Sequence, residues 1–290
     1  MIELTNVTKR FDTLTAVNNL SLTIPHGEVL GVLGPNGAGK TTLFKLIAGF
    51  LAPDSGRIRP SGSDWPTIGY KPERLLYPNH LRVRQYLELV ASLSNLSGPE
   101  AKRRVGESLE RVNLINAADK KINDCSKGMR QRLGLAQTLI GSPSLLLLDE
   151  PSNGLDPEGQ AEICRQIQEL HHQGKTIVLA SHQLAEVTQI CTSLIILNNG
   201  KVHYQNRMEG ALSERPFATI RVDTALDAMT PLLTGLHPEI EVNDNEIILN
   251  KEAMKLRRQI LSILISAGYD IIKVEQNRVT LAEIYAEATR

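Results

Sequence analysis

The chain has 290 residues, enough for a larger and a smaller domain, and its 32 basic and 32 acidic residues cancel to a net charge of zero. This balance argues against nucleic acid as the main partner, because nucleic-acid binding usually leaves a basic footprint. No run approaches roughly 18 consecutive apolar residues and the N-terminal segment does not resemble a secretion signal, so we expect a cytoplasmic protein without a membrane span. The three cysteines are widely spaced without a C-x-x-C pair, so we expect neither a disulfide framework nor a zinc site.

The first part of the chain predicts strands followed by one helix. Alternating apolar residues, as in 20–24, predict antiparallel strands. A turn at 25–28 leads into the apolar run 29–33, which predicts a buried strand. The segment 40–48 then carries apolar residues on one helical face.

The middle of the chain predicts helices and then a parallel sheet. Apolar residues at three-to-four spacing indicate mostly helix from about 81 to 140. Three apolar runs, 145–148, 177–180 and 194–197, predict buried strands, and the helical segment 158–171 lies between the first two. This order is typical of an α/β fold with a parallel sheet.

The pattern changes after about Met208, and we predict a division into a larger domain at 1–210 and an accessory domain at 211–290. The βαββαβ order of this second part predicts a small α+β domain of ferredoxin-like arrangement. Its predicted strands and helices are 217–222, 225–233, two strands around 243–245, 251–267, 270–274 and a final helix at 281–288.

A phosphate-binding loop lies between the strand 29–33 and the helix that begins near Lys40. The segment fits G-x-x-x-x-G-K-[ST] in its expected strand–loop–helix context. Glycines let backbone N–H groups turn inward on phosphates, and the helix N-terminus adds the positive end of its dipole. Lys40 is placed to reach the β- and γ-phosphates, and Thr41 to ligate Mg²⁺. The loop therefore predicts a site for a nucleoside triphosphate with Mg²⁺, formed by Gly34, Pro35, Asn36, Gly37, Ala38, Gly39, Lys40, Thr41 and Thr42.

Two carboxylates follow the apolar run 145–148. Asp149 and Glu150 come at the carboxyl end of a predicted central strand, where open α/β sheets bind ligands. Asp149 is suited to hold Mg²⁺ and Glu150 to activate the attacking water as general base. Transfer of a phosphoryl group to water requires both functions.

Between these two motifs lies the segment 125–132, Cys-Ser-Lys-Gly-Met-Arg-Gln-Arg, which resembles the L-S-G-G-Q signature of ATP-binding cassette (ABC) ATPases. The whole order is similar to that family: phosphate loop, glutamine-loop region, signature, acidic strand end, D-loop at 152–156, then His182. The resemblance covers about residues 1–210 and implies a P-loop NTPase of ABC type, with a RecA-like α/β core, N-terminal antiparallel strands and a helical subdomain at about 74–140.

The resemblance also implies roles for single residues. His182 would contact the γ-phosphate and orient the water, and Phe11 would stack on adenine. The signature residues would bind ATP held by a partner subunit, and Asp156 would lie at the dimer seam. The signature residues are Ser126, Lys127, Gly128 and Met129.

The sequence departs from the family pattern at several positions. Lys127 and Met129 replace glycine and glutamine of the signature, and Cys125 replaces its leucine. Glu73 stands where the family has a glutamine near Mg²⁺ and the water, so we predict it as a metal-site residue that adds charge. Interpretations without a functional role remain open for two of these residues: Phe11 could fill the core, and Glu73 could be an exposed side chain.

The resemblance implies a head-to-tail dimer in which two subunits enclose two ATP molecules and power a separate transmembrane permease from the cytoplasmic face of the membrane. The small C-terminal domain and the Ser-Lys-Gly-Met signature resemble bacterial export-type ATPase subunits. Two alternatives remain open at this point: a soluble ABC-type ATPase, and a nucleotide-dependent regulator that does not hydrolyse ATP. For the C-terminal domain, our hypothesis is that it reinforces the dimer or gates access of ATP.

Overall fold

The computed structural model describes residues 1–213, 216–278 and 280–290, so that 214, 215 and 279 lie outside the described part of the chain. The chain divides into two units. The first comprises Met1–Met208 together with Glu287–Arg290, and the second comprises Glu209–Ala286.

The first unit contains two sheets. Its strands are β1 (Ile2–Phe11), β2 (Leu14–Ile24), β3 (Val29–Leu33), β4 (Ser55–Pro60), β5 (Ile68–Lys71), β6 (Leu145–Asp149), β7 (Thr176–Ala180), β8 (Ser193–Asn198) and β9 (Lys201–Arg207). Strands β2, β1 and β4 form an antiparallel sheet in that order. The second sheet has the order β5-β6-β7-β3-β8-β9, in which the first five strands are parallel and β9 is antiparallel.

Helices cover both faces of the six-stranded sheet, which explains why its central strands are apolar throughout. The helices of this unit are α1 (Lys40–Ile47), α2 (Val83–Leu93), α3 (Gly98–Arg111), α4 (Lys127–Leu139), α5 (Pro157–His172) and α6 (Leu184–Ile190). Strands β3, β6 and β7 are buried at every position. Phe44 of α1 packs in one core cluster with Val32 and Leu147. On the opposite face, a Cβ at Gly31 would lie 2.8 Å from Val187 of α6. The predicted parallel α/β sheet is therefore confirmed, with β9 as an antiparallel edge strand.

The region between β5 and β6 is helical, as its periodicity predicts. Helices α2, α3 and α4 each bury an apolar face, with Leu87, Leu109 and Leu133 fully buried. The segment that precedes α2 is joined to α4 by Tyr77, whose hydroxyl donates a hydrogen bond of 2.8 Å to the backbone carbonyl of Arg130. This region therefore connects the end of β5 to the helix that carries the signature segment.

The second unit forms one antiparallel sheet with helices. The elements that follow β9 along the chain are α7 (Met208–Ser213), β10 (Pro216–Val222), α8 (Thr230–Leu236), β11 (Ile240–Asn243), β12 (Glu246–Asn250), α9 (Arg257–Ser266), β13 (Ile271–Arg278) and α10 (Leu281–Thr289). The strand order is β11-β12-β10-β13, and every neighbouring pair is antiparallel. The predicted βαββαβ order of ferredoxin-like arrangement is confirmed by this topology.

Two helices of the second unit begin later in the chain than the sequence predicts. The first was expected over 225–233, but α8 begins at Thr230, because Pro231 favours a helix start and Leu226 instead accepts turn hydrogen bonds from the N–H groups of Met229 and Thr230. The second was expected over 251–267. Its first six residues form a 3₁₀ helix, since Lys251 has a φ of 38°, and α9 begins only at Arg257.

Candidate nucleotide-binding site

The loop between β3 and α1 adopts a conformation that requires glycine. Gly39 stands at the N-cap of α1 with a φ of 105°, in the left-handed region. A Cβ at this position would lie 2.2 Å from the backbone carbonyl oxygen of Ala16. Both observations exclude a larger residue without a shift of the backbone. The loop therefore brings the N-terminus of α1 to the edge of the sheet, where its N–H groups can bind an anion.

Lys40 lies at the first turn of α1 and is 7% exposed. Its ammonium group donates hydrogen bonds to the backbone carbonyls of Gly34, at 2.6 Å, and Pro35, at 3.3 Å. Desolvation lowers the pKa of Lys40, and the negative charges of the nearby carboxylates oppose this shift. The ammonium group is thus held at the loop, next to the acidic end of β6.

Thr41 and Asp149 meet across the cavity although they are 108 residues apart. The hydroxyl of Thr41 donates a hydrogen bond of 2.8 Å to Oδ2 of Asp149. Asp149 is buried at the end of β6, and this burial raises the pKa of its carboxyl group, against the hydrogen bond from Thr41. The pair places a hydroxyl and a carboxylate oxygen side by side, which are the kinds of ligand that Mg²⁺ binds in nucleotide sites.

Glu150 follows directly and contacts His182. Oε2 of Glu150 lies 2.7 Å from Nδ1 of His182. The backbone of Glu150 has a φ of 48°, which is uncommon outside glycine, and its N–H donates to the carbonyl of Ala180 at 2.9 Å. Such a strained conformation is typical of residues that the surrounding structure holds in place for function.

These groups line one cavity of about 600 Å³. Phe11 lies at its border and is 43% exposed, so this ring is not core filling. Glu73 also lines the cavity, and its charge contributes to the raised pKa of Asp149. The predicted residues that the cavity brings together are Phe11, Pro35, Asn36, Gly37, Ala38, Gly39, Lys40, Thr41, Thr42, Glu73, Asp149, Glu150 and His182.

The signature residues lie in a different cleft. Ser126, Lys127, Gly128 and Asp156 line a cleft of about 890 Å³, and among the described residues the two cavities share no lining residue. Ser126 caps α4, since its Oγ accepts a hydrogen bond of 3.2 Å from the backbone N–H of Met129. In the same way Asp156 caps α5 through the N–H of Gly159. A single chain therefore carries two separate halves of the predicted site.

Sequence reasoning missed some residues of this region. Arg74, Leu14 and Asn153 line the same cavity as the phosphate loop. Lys71 is fully buried at the end of β5, and its ammonium group has no hydrogen-bond partner among the described residues. Its position could have been found from the alternation of β5, which places it on the same side of the strand as Gly69.

Comparisons with known proteins agree with this geometry. The family model for the ABC transporter matches residues 17–153. The chain is 31% identical to the ABC transporter ATP-binding protein YxlF of Bacillus subtilis, and the match covers 98% of each chain. The chain belongs to the ABC transporter ATP-binding proteins. This ABC protein is also 34% identical to the daunorubicin resistance ATP-binding protein DrrA3 of Streptomyces coeruleorubidus, over 97% of this chain and 93% of that protein.

Two further comparisons are informative. The ABC protein is 36% identical to the Nod factor export ATP-binding protein I of Burkholderia lata, over 69% of this chain and 68% of that protein. A dimeric structure of the ATP-binding cassette MJ0796, in a post-hydrolysis state with ADP and Pi, covers 72% of this chain and 99% of that one, with 26% identity and a TM-score of 0.66. The predicted family, fold class and ATPase activity are confirmed.

The length and apolar character of the helices decide whether any of them could cross a bilayer. Within the described ranges, none combines the length and the apolar character that a membrane-spanning helix needs. This finding agrees with the sequence, which contains no long apolar run.

Proposed function

We propose that this ABC ATPase powers a separate transmembrane permease, as a homodimer in which each chain completes the nucleotide site of the other. The observation that carries the proposal is the separation of the two clefts. The phosphate loop, Asp149 and His182 line one cleft, and Ser126 with Gly128 lines the other. A site that is incomplete in one chain makes dimerisation depend on ATP, because ATP binds the closed dimer better than the monomer.

Within this dimer each motif has its own task. The loop N–H groups and Lys40 bind the phosphates, and Phe11 stacks on adenine. Glu150 accepts a proton from the attacking water, and His182, hydrogen-bonded to it, orients that water at the γ-phosphate. Ser126 and the N-terminus of α4 would contact the γ-phosphate from the partner chain.

The acidic end of β6 fits a magnesium ion. Thr41 and Asp149 offer adjacent hard oxygen ligands, and the desolvated Asp149 carboxylate gains a counter-charge when the ion binds. Mg²⁺ neutralises charge on the phosphates. Glu73 lines the same cavity and adds its carboxylate to those of Asp149 and Glu150.

Export is the direction that the relatives favour. One relative is named for export of Nod factor and another for resistance to daunorubicin. Both are proteins of the same family with matches over two thirds or more of this chain. We extend this direction to the present chain, with its site on the cytoplasmic face of the membrane and its second unit as an accessory domain.

The test is to isolate the tagged full-length chain from detergent-solubilised membranes and to identify the proteins that accompany it. We expect a protein with several membrane spans, and ATP hydrolysis by the isolated complex. Lys45→Ala, at an exposed position of α1, is the control for effects of substitution and purification, and it should behave as the wild type does. An active ATPase without any such membrane partner would contradict the transport assignment, and a chain that binds ATP without hydrolysing it would indicate a regulator.

A further inference from the structure

The segment 72–74 follows β5 and is held by buried contacts on both sides. Before it, Lys71 is fully buried. After it, Leu75 packs on α4 so closely that a Cβ at Gly134 would lie 2.2 Å from Leu75 Cδ1. Because both ends are anchored, the backbone of this segment has little freedom to swing away from the cavity.

Two of the three residues of this anchored segment are charged. Glu73 and Arg74 are both exposed, and both line the cavity of the phosphate loop. The family pattern that this chain resembles has a neutral glutamine at the position of Glu73. This chain therefore replaces one neutral side chain by a carboxylate and has a guanidinium group at the next position.

The carboxylates of the cavity make the binding of a negatively charged ligand unfavourable unless cations offset them. Glu73, Asp149 and Glu150 line the cavity that is to receive a triphosphate, which is itself strongly negative. The charge of Glu73 acts on the pKa of both Lys40 and Asp149, and Glu73 lines the cavity together with these two residues, which mark the end proposed for the terminal phosphate. An added carboxylate at that end repels the phosphate unless a cation compensates for it.

We propose that the guanidinium group of Arg74 binds the terminal phosphate of the nucleotide from within the same chain and offsets the charge of Glu73. This inference rests on the proposed nucleotide site. A guanidinium group is suited to the task, because it stays charged and presents paired N–H donors that match two phosphate oxygens. Arg74 thereby becomes a binding residue of the nucleotide site.

The test compares equilibrium binding of MgATP and MgADP to the full-length wild type, Arg74→Gln, Arg74→Lys, Glu73→Gln and the double variant. We expect Arg74→Gln to weaken MgATP binding by about 10- to 100-fold, the usual range for lost charge-assisted hydrogen bonds, and MgADP binding by less than about threefold. Arg74→Lys should retain part of the affinity. In the Glu73→Gln background the loss of MgATP affinity caused by Arg74→Gln should be smaller, because the charge of Glu73 no longer needs to be offset.

The matched control is Arg57→Gln, which removes an exposed arginine of β4 outside the cavity and should leave both affinities unchanged. Arg74→Gln binding of MgATP within about twofold of wild type would overturn the phosphate contact. Equal losses for MgATP and MgADP would overturn its assignment to the terminal phosphate, and equal losses in the two backgrounds would overturn the offset of Glu73. A wild-type chain that binds no nucleotide would instead refute the proposed site itself.

Discussion

Glu150 and His182 form a hydrogen-bonded pair that joins the ends of two neighbouring strands. Oε2 of Glu150 lies 2.7 Å from Nδ1 of His182, although the two residues are 32 positions apart in the sequence. Glu150 is buried, whereas the side chain of His182 is 52% exposed, and both residues line the cavity. The register that aligns Asp149 of β6 with Ala180 of β7 brings the two side chains together. The pair is therefore a consequence of the parallel sheet.

Glu150→Gln should separate nucleotide binding from hydrolysis. The amide keeps the size of the side chain and loses the ability to accept a proton, so we expect turnover to fall by about 10²- to 10⁴-fold with MgATP affinity retained. The variant should also accumulate as a dimer with ATP, visible by light scattering. Glu169→Gln, an exposed change on α5, is the control. Normal turnover of Glu150→Gln would show that another group activates the water.

Lys40→Ala should weaken the binding of ATP itself. The ammonium group lies at the phosphate loop, and its loss removes a charge-assisted contact, which corresponds to about 10- to 100-fold in affinity. Fluorescence titration with a nucleotide analogue measures the effect, and Lys45→Ala on the exposed face of α1 is the matched control. Unchanged affinity of Lys40→Ala would argue against the loop as the phosphate site.

Much of this site could be predicted from local sequence. The phosphate loop and the acidic strand end have fixed spacings, because backbone N–H groups and strand ends impose them. Phe11 and Glu73 could be placed only through the family resemblance, and the structure shows both on the cavity. Their approach depends on long-range packing that no local pattern encodes.

Other features were beyond local reasoning. The buried ammonium group of Lys71 depends on how α4 covers β5, through the close approach of Gly134 to its side chain. The late start of α8 at Thr230 depends on the turn that Leu226 forms, although the periodicity of that segment favours an earlier helix. In both places tertiary packing overrides the local preference.

Lys71→Met should stabilise the protein at neutral pH. Burial lowers the pKa of Lys71 from 10.5 to about 8, and no hydrogen-bond partner of its ammonium group lies in the part of the chain that the structure describes. Below pH 8 both the folded and the unfolded chain carry the proton, so the folded state bears the net cost of the buried charge, desolvation less the attraction of nearby carboxylates, which is roughly 3 kcal/mol from the size of the shift. Methionine fills a similar volume without that charge.

The same pKa fixes the pH dependence. Between about pH 8 and 10.5 the folded wild type releases its proton while the unfolded chain keeps it, so wild-type stability should rise across this window. The advantage of Lys71→Met in melting temperature should be present at pH 7 and shrink toward pH 10. Lys102→Met, at an exposed lysine of α3, is the control. A variant less stable than wild type at pH 7 would mean that nearby carboxylates need the charge.

Ser126→Asp should abolish ATP-driven dimerisation while preserving the fold. Ser126 caps α4 by accepting a hydrogen bond from the N–H of Met129, and an aspartate caps a helix as well as serine does. Its negative charge, however, would repel the γ-phosphate presented by the partner chain. We therefore expect an unchanged melting temperature, retained MgATP binding by the monomer, and no dimer by light scattering in the Glu150→Gln background. Ser97→Asp, at the N-cap of α3, makes the same substitution outside both clefts and should still dimerise. If the Ser126→Asp variant dimerised at the same ATP concentration as the chain that keeps Ser126, the signature cleft would not complete the nucleotide site of the partner.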